Sequence, residues 1–382
     1  MNIVFFTTCG NKWGGSEVLW ARTAKEALKN GHNVAISIFN WDTQHESITE
    51  LIELGAVTFF RRPFYPNLSL RLKKKFLNLF LPKGNKFTYN NPLFKFQPDH
   101  IFFNLAGGNE IIEDSEDLFI FIKQLRLPFS VFYHSNLNKN QLTSIQKRSF
   151  QFVISKAKQN YFTSHFQIKL IEDEIGILLK NYFILCHPLR VIRPSVFKQL
   201  DVIRLCVIGN IVYRWKGQDI LINILSKPHW RNLKWHLNIY GEGDDKENMK
   251  NLIVQNKIED KVTLHGYEKD INTIFSKNDL VIIPSRKDSG PIVMFEAMLA
   301  GLPVVGSKMG VMPDYIIHGK NGALADDIDE ESIEMAMAFA ILNKDKWQLW
   351  GDNARNQILD KYDFNPHITL LKIITNEKKS QE

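Results

Sequence analysis

Cysteine is nearly absent from this chain, with three among 382 residues: Cys9, Cys186 and Cys206. With no C-x-x-C and no histidines at zinc spacing, neither a disulfide framework nor a metal site is expected. Each thiol reads as a small buried hydrophobe. Long apolar runs are missing too. No stretch approaches the ~18–20 residues that span a bilayer. The opening MNIVFFTTCG is too short for a signal peptide and lacks its basic start, so the cytosol is the expected compartment. Short repeats and low-complexity tracts are also lacking, which excludes solenoids.

What is present is enough apolar sequence for two cores. At 382 residues and 44% hydrophobic content, the chain exceeds the size at which single cores usually stop growing, about 250–300 residues. Strand patterns alternate with helical ones from end to end, the signature of βαβ units and parallel sheets. NIVFFTT reads as a buried strand and CGNKWGGSE as a glycine loop. Val18–Asn30 follows as an amphipathic helix capped by Ser16 and stopped at Gly31. Further strands are expected at HNVAISIF, His100–Ala106, Phe129–His134 and Gln159–Ser164. A segment around Cys186–Val202, with Pro188 and Pro194 and little periodicity, reads as a linker. A second cycle then runs through IRLCVIGN, WHLNIYGEGD, VTLHGY, DLVIIPS and PVVGS.

Charge divides the chain. Residues 1–200 hold 25 Lys+Arg against 15 Asp+Glu, and the remainder 23 against 26. Most of the basic excess lies between Arg61 and Lys95. There, residues 68–81 interleave leucine and phenylalanine with Arg71, Lys73, Lys74 and Lys75. Such a segment suits an anionic leaflet, or equally a helix packed on its own domain with solvated lysines. Nucleic acid is not expected as a partner, because no binding motif accompanies the charge.

The most informative stretch is PSRKDSGPIVMFEAMLAGLPVV, Pro284–Val305. DLVIIP reads as a buried parallel strand. From Ile292 the apolar residues take helical spacing, until Gly301 and Pro303 end the helix. Asp288 and Glu296 thus flank a helix N-terminus, with Ser289, Gly290 and Pro291 at the turn between. Free N–H groups and the helix dipole make such a turn an anion site. A carboxylate one to two turns in can accept bonds from ribose hydroxyls. The alternative is an ordinary capped core helix with its acids at solvent. Earlier, in VIGNIVYRWKGQDILINIL, a strand ends at Gly209 and a helix begins near Gln218. Arg214 and Lys216 are left on the loop at the strand's carboxyl end, where open parallel sheets bind ligands.

The acidic-x7-Glu stretch, continued by GLPVVGSKMGVMPDYIIHGKNGALADD, resembles that of retaining glycosyltransferases of family four. The resemblance implies an α/β GT-B fold, two Rossmann-like parallel-sheet domains facing across a cleft. The expected domains are an acceptor-side 1–190, a nucleotide-sugar-binding 191–360, and a C-terminal helix within 361–382 that returns to the first domain. The function implied is transfer of a sugar from a nucleotide-diphosphate sugar, UDP- or GDP-linked, to a hydroxyl of a glycan or lipid-linked acceptor, as in cell-envelope polysaccharide synthesis. No cofactor or metal is implied. A sugar-nucleotide epimerase and a non-catalytic binding subunit are the alternatives from other classes.

Carried over residue by residue, the family's roles assign ribose to Glu296, diphosphate and sugar to the turn Ser289, Gly290, Pro291, Ile292 and Val293, and a sugar hydroxyl to Asp288. The first acid is usually glutamate, and Asp288 is one methylene shorter. Lys216 matches the lysine that neutralises the leaving diphosphate. The preceding arginine slot holds Asn210, and Arg214 stands as the substitute. Gly243 in GEGDD and the HGY of His265–Tyr267 resemble loops near the base. Gly14 and Gly15 resemble the first-domain glycine loop, and His134 the histidine that contacts the donor sugar. Asp327–Asp329, a D-x-D, reads as the acidic start of a helix rather than a metal ligand.

Overall fold

The computed structural model describes residues 1–10, 12–61, 92–105, 116–134, 142–195 and 201–376. The basic segment 68–81 lies outside them, as does the end of the tail. The chain divides into two compact units. The first comprises Met1–Thr163 and Gln167–Pro188 with the segment from Asn365; the second comprises Ser164–Phe166 and Leu189–Phe364.

The first unit holds a seven-stranded sheet, β1 Asn2–Thr7, β2 Asn33–Phe39, β3 Val57–Arg61, β4 His100–Leu105, β5 Phe129–Tyr133, β6 Gln159–Phe162 and β7 Tyr182–Ile184. Its order is β3-β2-β1-β4-β5-β6-β7, parallel throughout. The central strands are apolar on both faces because helices cover both sides. Phe5, Phe6, Phe102, Phe103, Phe129 and Phe132 are all buried, each such burial contributing about 1.5–3 kcal/mol. Phe6 meets Phe103 with ring centroids 5.3 Å apart. The helix Pro366–Thr375 packs against the helix Gly15–Lys29, burying Leu370, Leu371 and Ile374 in the same cluster as Leu19 and Trp20.

The second unit holds six parallel strands, β8 Ile203–Ile208, β9 Trp235–Tyr240, β10 Val262–Gly266, β11 Leu280–Ile283, β12 Val304–Gly306 and β13 Gly322–Leu324. Their order is β10-β9-β8-β11-β12-β13. In both sheets the order reverses beside the first strand, between β1 and β4 and between β8 and β11. Those switch points open a crevice at the strands' carboxyl ends.

The structure corrects several local readings. The first helix begins at Gly15 and not Val18, and its N-cap is Gly14 with no side-chain cap, so Ser16 does not cap it. Residues 213–216, read as loop, form a helical turn, Tyr213–Lys216. Strands β3, β7 and β13 had no reading: β3 is a half-buried edge, and β7 and β13 have three residues each. Cys9 and Cys206 are buried, but Cys186 is only half-buried. Ile374 and Thr375 close the helix Pro366–Thr375, whose C-cap Asn376 accepts at Oδ1 from Lys158 Nζ at 2.8 Å.

The helix Trp347–Lys361 crosses the helix Ile292–Ala300 at two glycines. A Cβ on Gly351 would stand 1.9 Å from the Gly301 carbonyl oxygen. Gly→Ala inside a helix ordinarily gains up to about 1 kcal/mol, whereas overpacking costs about 1–3 kcal/mol. A backbone oxygen at that distance cannot yield as a side chain can, so the clash wins. Gly351→Ala is expected to lower the thermal midpoint by several degrees; a raised midpoint would show that the two helices separate freely.

Candidate functional site

In the second unit the loops after β8 and β11 are stitched together, and glycine makes this achievable. Gly217 (φ +66°) ends the Tyr213–Lys216 turn, and a Cβ there would lie 2.1 Å from the Pro284 carbonyl oxygen. At that closeness Trp215 O accepts from Arg286 N (2.8 Å) and Lys287 N (2.9 Å). Arg286 also donates to Tyr213 O (2.7 Å) and forks onto Asp219 (2.6 and 2.8 Å). The loop after β12 presses on the same turn: a Cβ on Gly310 (φ +58°) would meet the carbonyl oxygens of Asp288 and Ser289 at 2.4 and 2.6 Å. Ser307 Oγ donates to Ser285 O at 2.6 Å.

This packing brings Lys216 to Asp288, Nζ to Oδ2 at 2.5 Å. The other carboxylate oxygen of Asp288 accepts from Gly290 N at 3.3 Å, so Asp288 both holds the lysine and shapes the turn. Pro291 is the N-cap of Ile292–Ala300, and Ile292 and Val293 open its first turn. Ser289 is buried beside them.

Arg214, the expected partner of Lys216, goes elsewhere. It lies exposed over the Trp215 ring, 4.3 Å from the centroid. Positions two apart on a helix do not share a face, so Arg214 and Lys216 do not converge. Asn210 is likewise exposed, and its carbonyl accepts from Gln218 Nε2 at 2.8 Å. Gly243 lies where a Cβ would be 2.3 Å from Ile211 O, which packs the loop after β9 against the loop after β8. His265 stacks on Tyr240 (4.4 Å), with Tyr267 exposed beyond it. Asp329 caps the helix Glu330–Leu342 by accepting from Ser332 N at 2.8 Å. Among the described residues no cluster of three or more His, Cys, Asp or Glu could hold a metal, and no helix is long and apolar enough to cross a membrane.

Glu296 is fully buried and has a partner that no local signal identified. Arg190, two residues past Pro188, forks onto it with Nε to Oε1 at 2.7 Å and Nη2 to Oε2 at 2.5 Å, and Arg190 N reaches Oε1 at 3.3 Å. Burial opposes the guanidinium's charge, but the hydrogen bonds and charge of Glu296 outweigh it and raise the Arg190 pKa. The 106-residue separation hides this pair from any reading of sequence windows.

The first unit places Gly15 at the first position of the helix Gly15–Lys29, after the N-cap Gly14. His134 follows β5 and is buried, with Nε2 2.6 Å from Asn104 Oδ1. Desolvation, helped by neighbouring His187, holds its pKa well below the ordinary value, so the ring is neutral. Asn104 Nδ2 donates to Glu17 Oε1 at 2.9 Å, which also accepts from Thr7 Oγ1 at 2.8 Å. Burial raises the Glu17 pKa from 4.5 to about 7. Neither Glu17 nor Asn104 was singled out from the sequence; the only signal was an acid two residues after a glycine pair.

Two doubly wound parallel-sheet units, each with loops gathered at a switch point, define the GT-B class. Residues 190–357 match the family described as Glycosyl transferases group 1. A protein of Methanocaldococcus jannaschii described as an uncharacterised glycosyltransferase is 26% identical over 64% of this chain and 62% of its own length. The chain spans from half to less than two thirds of the first curated relatives it matches. Anabaena HepE, solved with UDP, superposes with a TM-score of 0.70 at 17% identity, covering 98% of this chain and 100% of that one. WaaG, a glycosyltransferase involved in lipopolysaccharide biosynthesis, gives a TM-score of 0.67 at 15% identity over 98% and 99%.

The two ion pairs differ in what their loss costs. Lys216 is about one-third exposed, and pairs near solvent contribute about 0–1 kcal/mol. Glu296 has no exposure, and removing the partner of a buried charge costs about 3–5 kcal/mol. Urea unfolding should therefore find Arg190→Met less stable by about 3 kcal/mol, with Lys216→Met within about 1 kcal/mol of the parent. Equal losses would contradict this ranking.

Glu17 sets a pH dependence of definite sign. Its folded pKa, about 7, exceeds the unfolded 4.5, so the stability it contributes is complete below about pH 4.5 and is lost as pH rises through about 7. The gap corresponds to about 3 kcal/mol. His100 acts oppositely, since burial lowers its pKa to about 4. The difference between parent and Glu17→Gln isolates the acid: between pH 5 and pH 8 the parent should lose stability relative to the variant. A pH-independent difference would contradict the raised pKa.

Proposed function

We propose that the protein transfers a sugar, with retention and without a metal, from a UDP- or GDP-linked sugar to a hydroxyl of a glycan or lipid-linked acceptor in cell-envelope polysaccharide synthesis. The convergence of Lys216 and Asp288 on the turn that opens the helix Ile292–Ala300 carries this reading. Departure of the nucleotide builds negative charge on the β-phosphate, and a preorganised cation with N–H dipoles stabilises charge that develops in the transition state. Lys216 supplies the cation, and the amides of Ile292 and Val293 the dipoles. Asp288 keeps the lysine over the turn through a pair weak enough to re-form around a phosphate, and turns its carboxylate to a sugar hydroxyl.

Glu296 accepts from the ribose. Its bond to Arg190 is retained, because the carboxylate is buried and Oε2 takes one bond from Arg190 against two at Oε1. Arg190 thereby aims the carboxylate, a positioning role. His134, neutral, is the first unit's contact to the transferred sugar. Arg214, exposed over an indole, serves as a cation at the rim, and Gly15 and Gly243 give backbone access to the donor. The base preference is read from HepE, a protein solved with UDP and with UDP-glucose, and the envelope role from WaaG.

The test is a hydrolysis and thermal-shift panel of UDP-, GDP-, ADP- and CMP-sugars with the purified chain. A UDP- or GDP-sugar is expected to be turned over in EDTA, with the product's anomeric configuration retained by NMR. Losing one charge-assisted contact costs about 1.5–3 kcal/mol, so Glu296→Ala and Lys216→Ala should each lose roughly ten- to hundredfold in rate. Unchanged kinetics in both variants, or activity that EDTA abolishes and Mn²⁺ restores, would overturn the donor site described.

A further inference from the structure

Three strands of the first sheet bring polar side chains together at the β1/β4 switch point. Thr7 ends β1, Asn104 is next to last in β4, and the two are paired in register. His134 follows β5, its backbone N donating to Leu105 O at 3.1 Å. The helix Gly15–Lys29 inserts Glu17 between them from its first turn. Thr7, Glu17, Asn104 and His134 are all buried, so each hydrogen bond constrains the next.

The direction of that chain follows from chemistry. Glu17 Oε1 accepts from Thr7 Oγ1 (2.8 Å) and Asn104 Nδ2 (2.9 Å). The hydroxyl donating into Oε1 keeps that oxygen an acceptor even when the carboxyl's other oxygen is protonated. The amide of Asn104 is therefore oriented with its NH₂ toward Glu17 and its oxygen toward His134, 2.6 Å from Nε2. An amide oxygen only accepts, so Nε2 carries the ring's hydrogen and Nδ1 is the acceptor nitrogen. A tilted contact with Phe132 (centroids 4.0 Å) and stacking on His187 (5.0 Å) hold the ring plane.

We propose that Glu17 is a positioning residue, which acts through Asn104 to hold His134 as its Nε2–H tautomer, and that turnover depends on that tautomer. The link to turnover rests on the glycosyl-transfer reading above; the tautomer does not. Among the described residues, the charged and titratable groups that act on Glu17 and His134 are Arg61, from β3, and His187, from the segment after β7. Burial and His187 keep the imidazole neutral, so no proton moves in this role.

Nitrogen-15 NMR of the histidine-labelled full chain reads the tautomer directly, with the His134 signal assigned by its loss in His134→Gln. The parent should show a protonated Nε2 and an unprotonated Nδ1 from pH 6 to pH 8. Glu17→Gln, whose amide oxygen still accepts, should keep that signature, and Glu17→Leu should lose it. Asn104→Asp, nearly isosteric, sets a carboxylate against Nε2 and should raise the His134 pKa into the measured range. With UDP-glucose as probe, kcat should fall roughly tenfold or more in Glu17→Leu, with KM changing less than about threefold, and be largely restored in Glu17→Gln.

An unchanged His134 signature in Glu17→Leu would overturn the proposal, as would a lost tautomer with unchanged kcat. If the parent turns over no nucleotide sugar, the glycosyl-transfer reading fails, and the nitrogen-15 signature alone decides whether Glu17 sets the tautomer.

Discussion

The second unit's site depends on backbone meeting backbone without side chains between. At Gly217 the chain comes so near the Pro284 carbonyl that any Cβ would overlap it. Only at that spacing can one carbonyl, Trp215 O, accept from both Arg286 and Lys287 and set Lys216 opposite Asp288. Gly310 repeats the device from the β12 side against Asp288 and Ser289, and Gly243 from the β9 side against Ile211. Loops are usually the mobile part of a fold. Here three close backbone approaches, with the Arg286–Asp219 fork, tie them to the sheet, so the polar groups they carry are placed before any ligand arrives.

The two units treat buried acid in opposite ways. Glu296 is given a full guanidinium fork. Glu17 is given neutral donors, Thr7 and Asn104, and burial lifts its pKa to about 7. The difference suits different tasks. A carboxylate held by arginine meets a full opposite charge, whereas an acid in a neutral network serves by orienting its neighbours. Charge is thus concentrated on the second unit's loops, while the first unit's strand ends hold a directional chain of hydrogen bonds.

Much of the fold was legible because parallel strands covered on both faces are continuous apolar runs, and NIVFF, HIFFNL, LCVI and DLVII could be little else. The strands β3, β7 and β13 escaped because β3 is a half-buried edge and β7 and β13, at three residues each, are too short to form such a run. Ser16 had the chemistry of a cap, but the helix starts one residue earlier, at Gly15, and leaves the serine inside its first turn. Arg214 stood as the substitute for the arginine missing at Asn210, yet the Tyr213–Lys216 turn rotates it away from Lys216 and onto Trp215.

By itself the sequence determined the class of protein: two α/β cores, a lysine-glycine loop after one strand, and a pair of acids flanking the start of a helix after another. These are local patterns, set by side-chain periodicity and turn chemistry within about twenty residues of chain. The tertiary structure alone decided who meets whom. Arg190 reaches Glu296 across 106 positions, Lys216 reaches Asp288 across 72, and Asn104 bridges Glu17 to His134 across 87 and 30. The reason is that strand order is not chain order. β8 pairs with β11 and β1 with β4, and only that crossover brings residues from distant loops within hydrogen-bond reach.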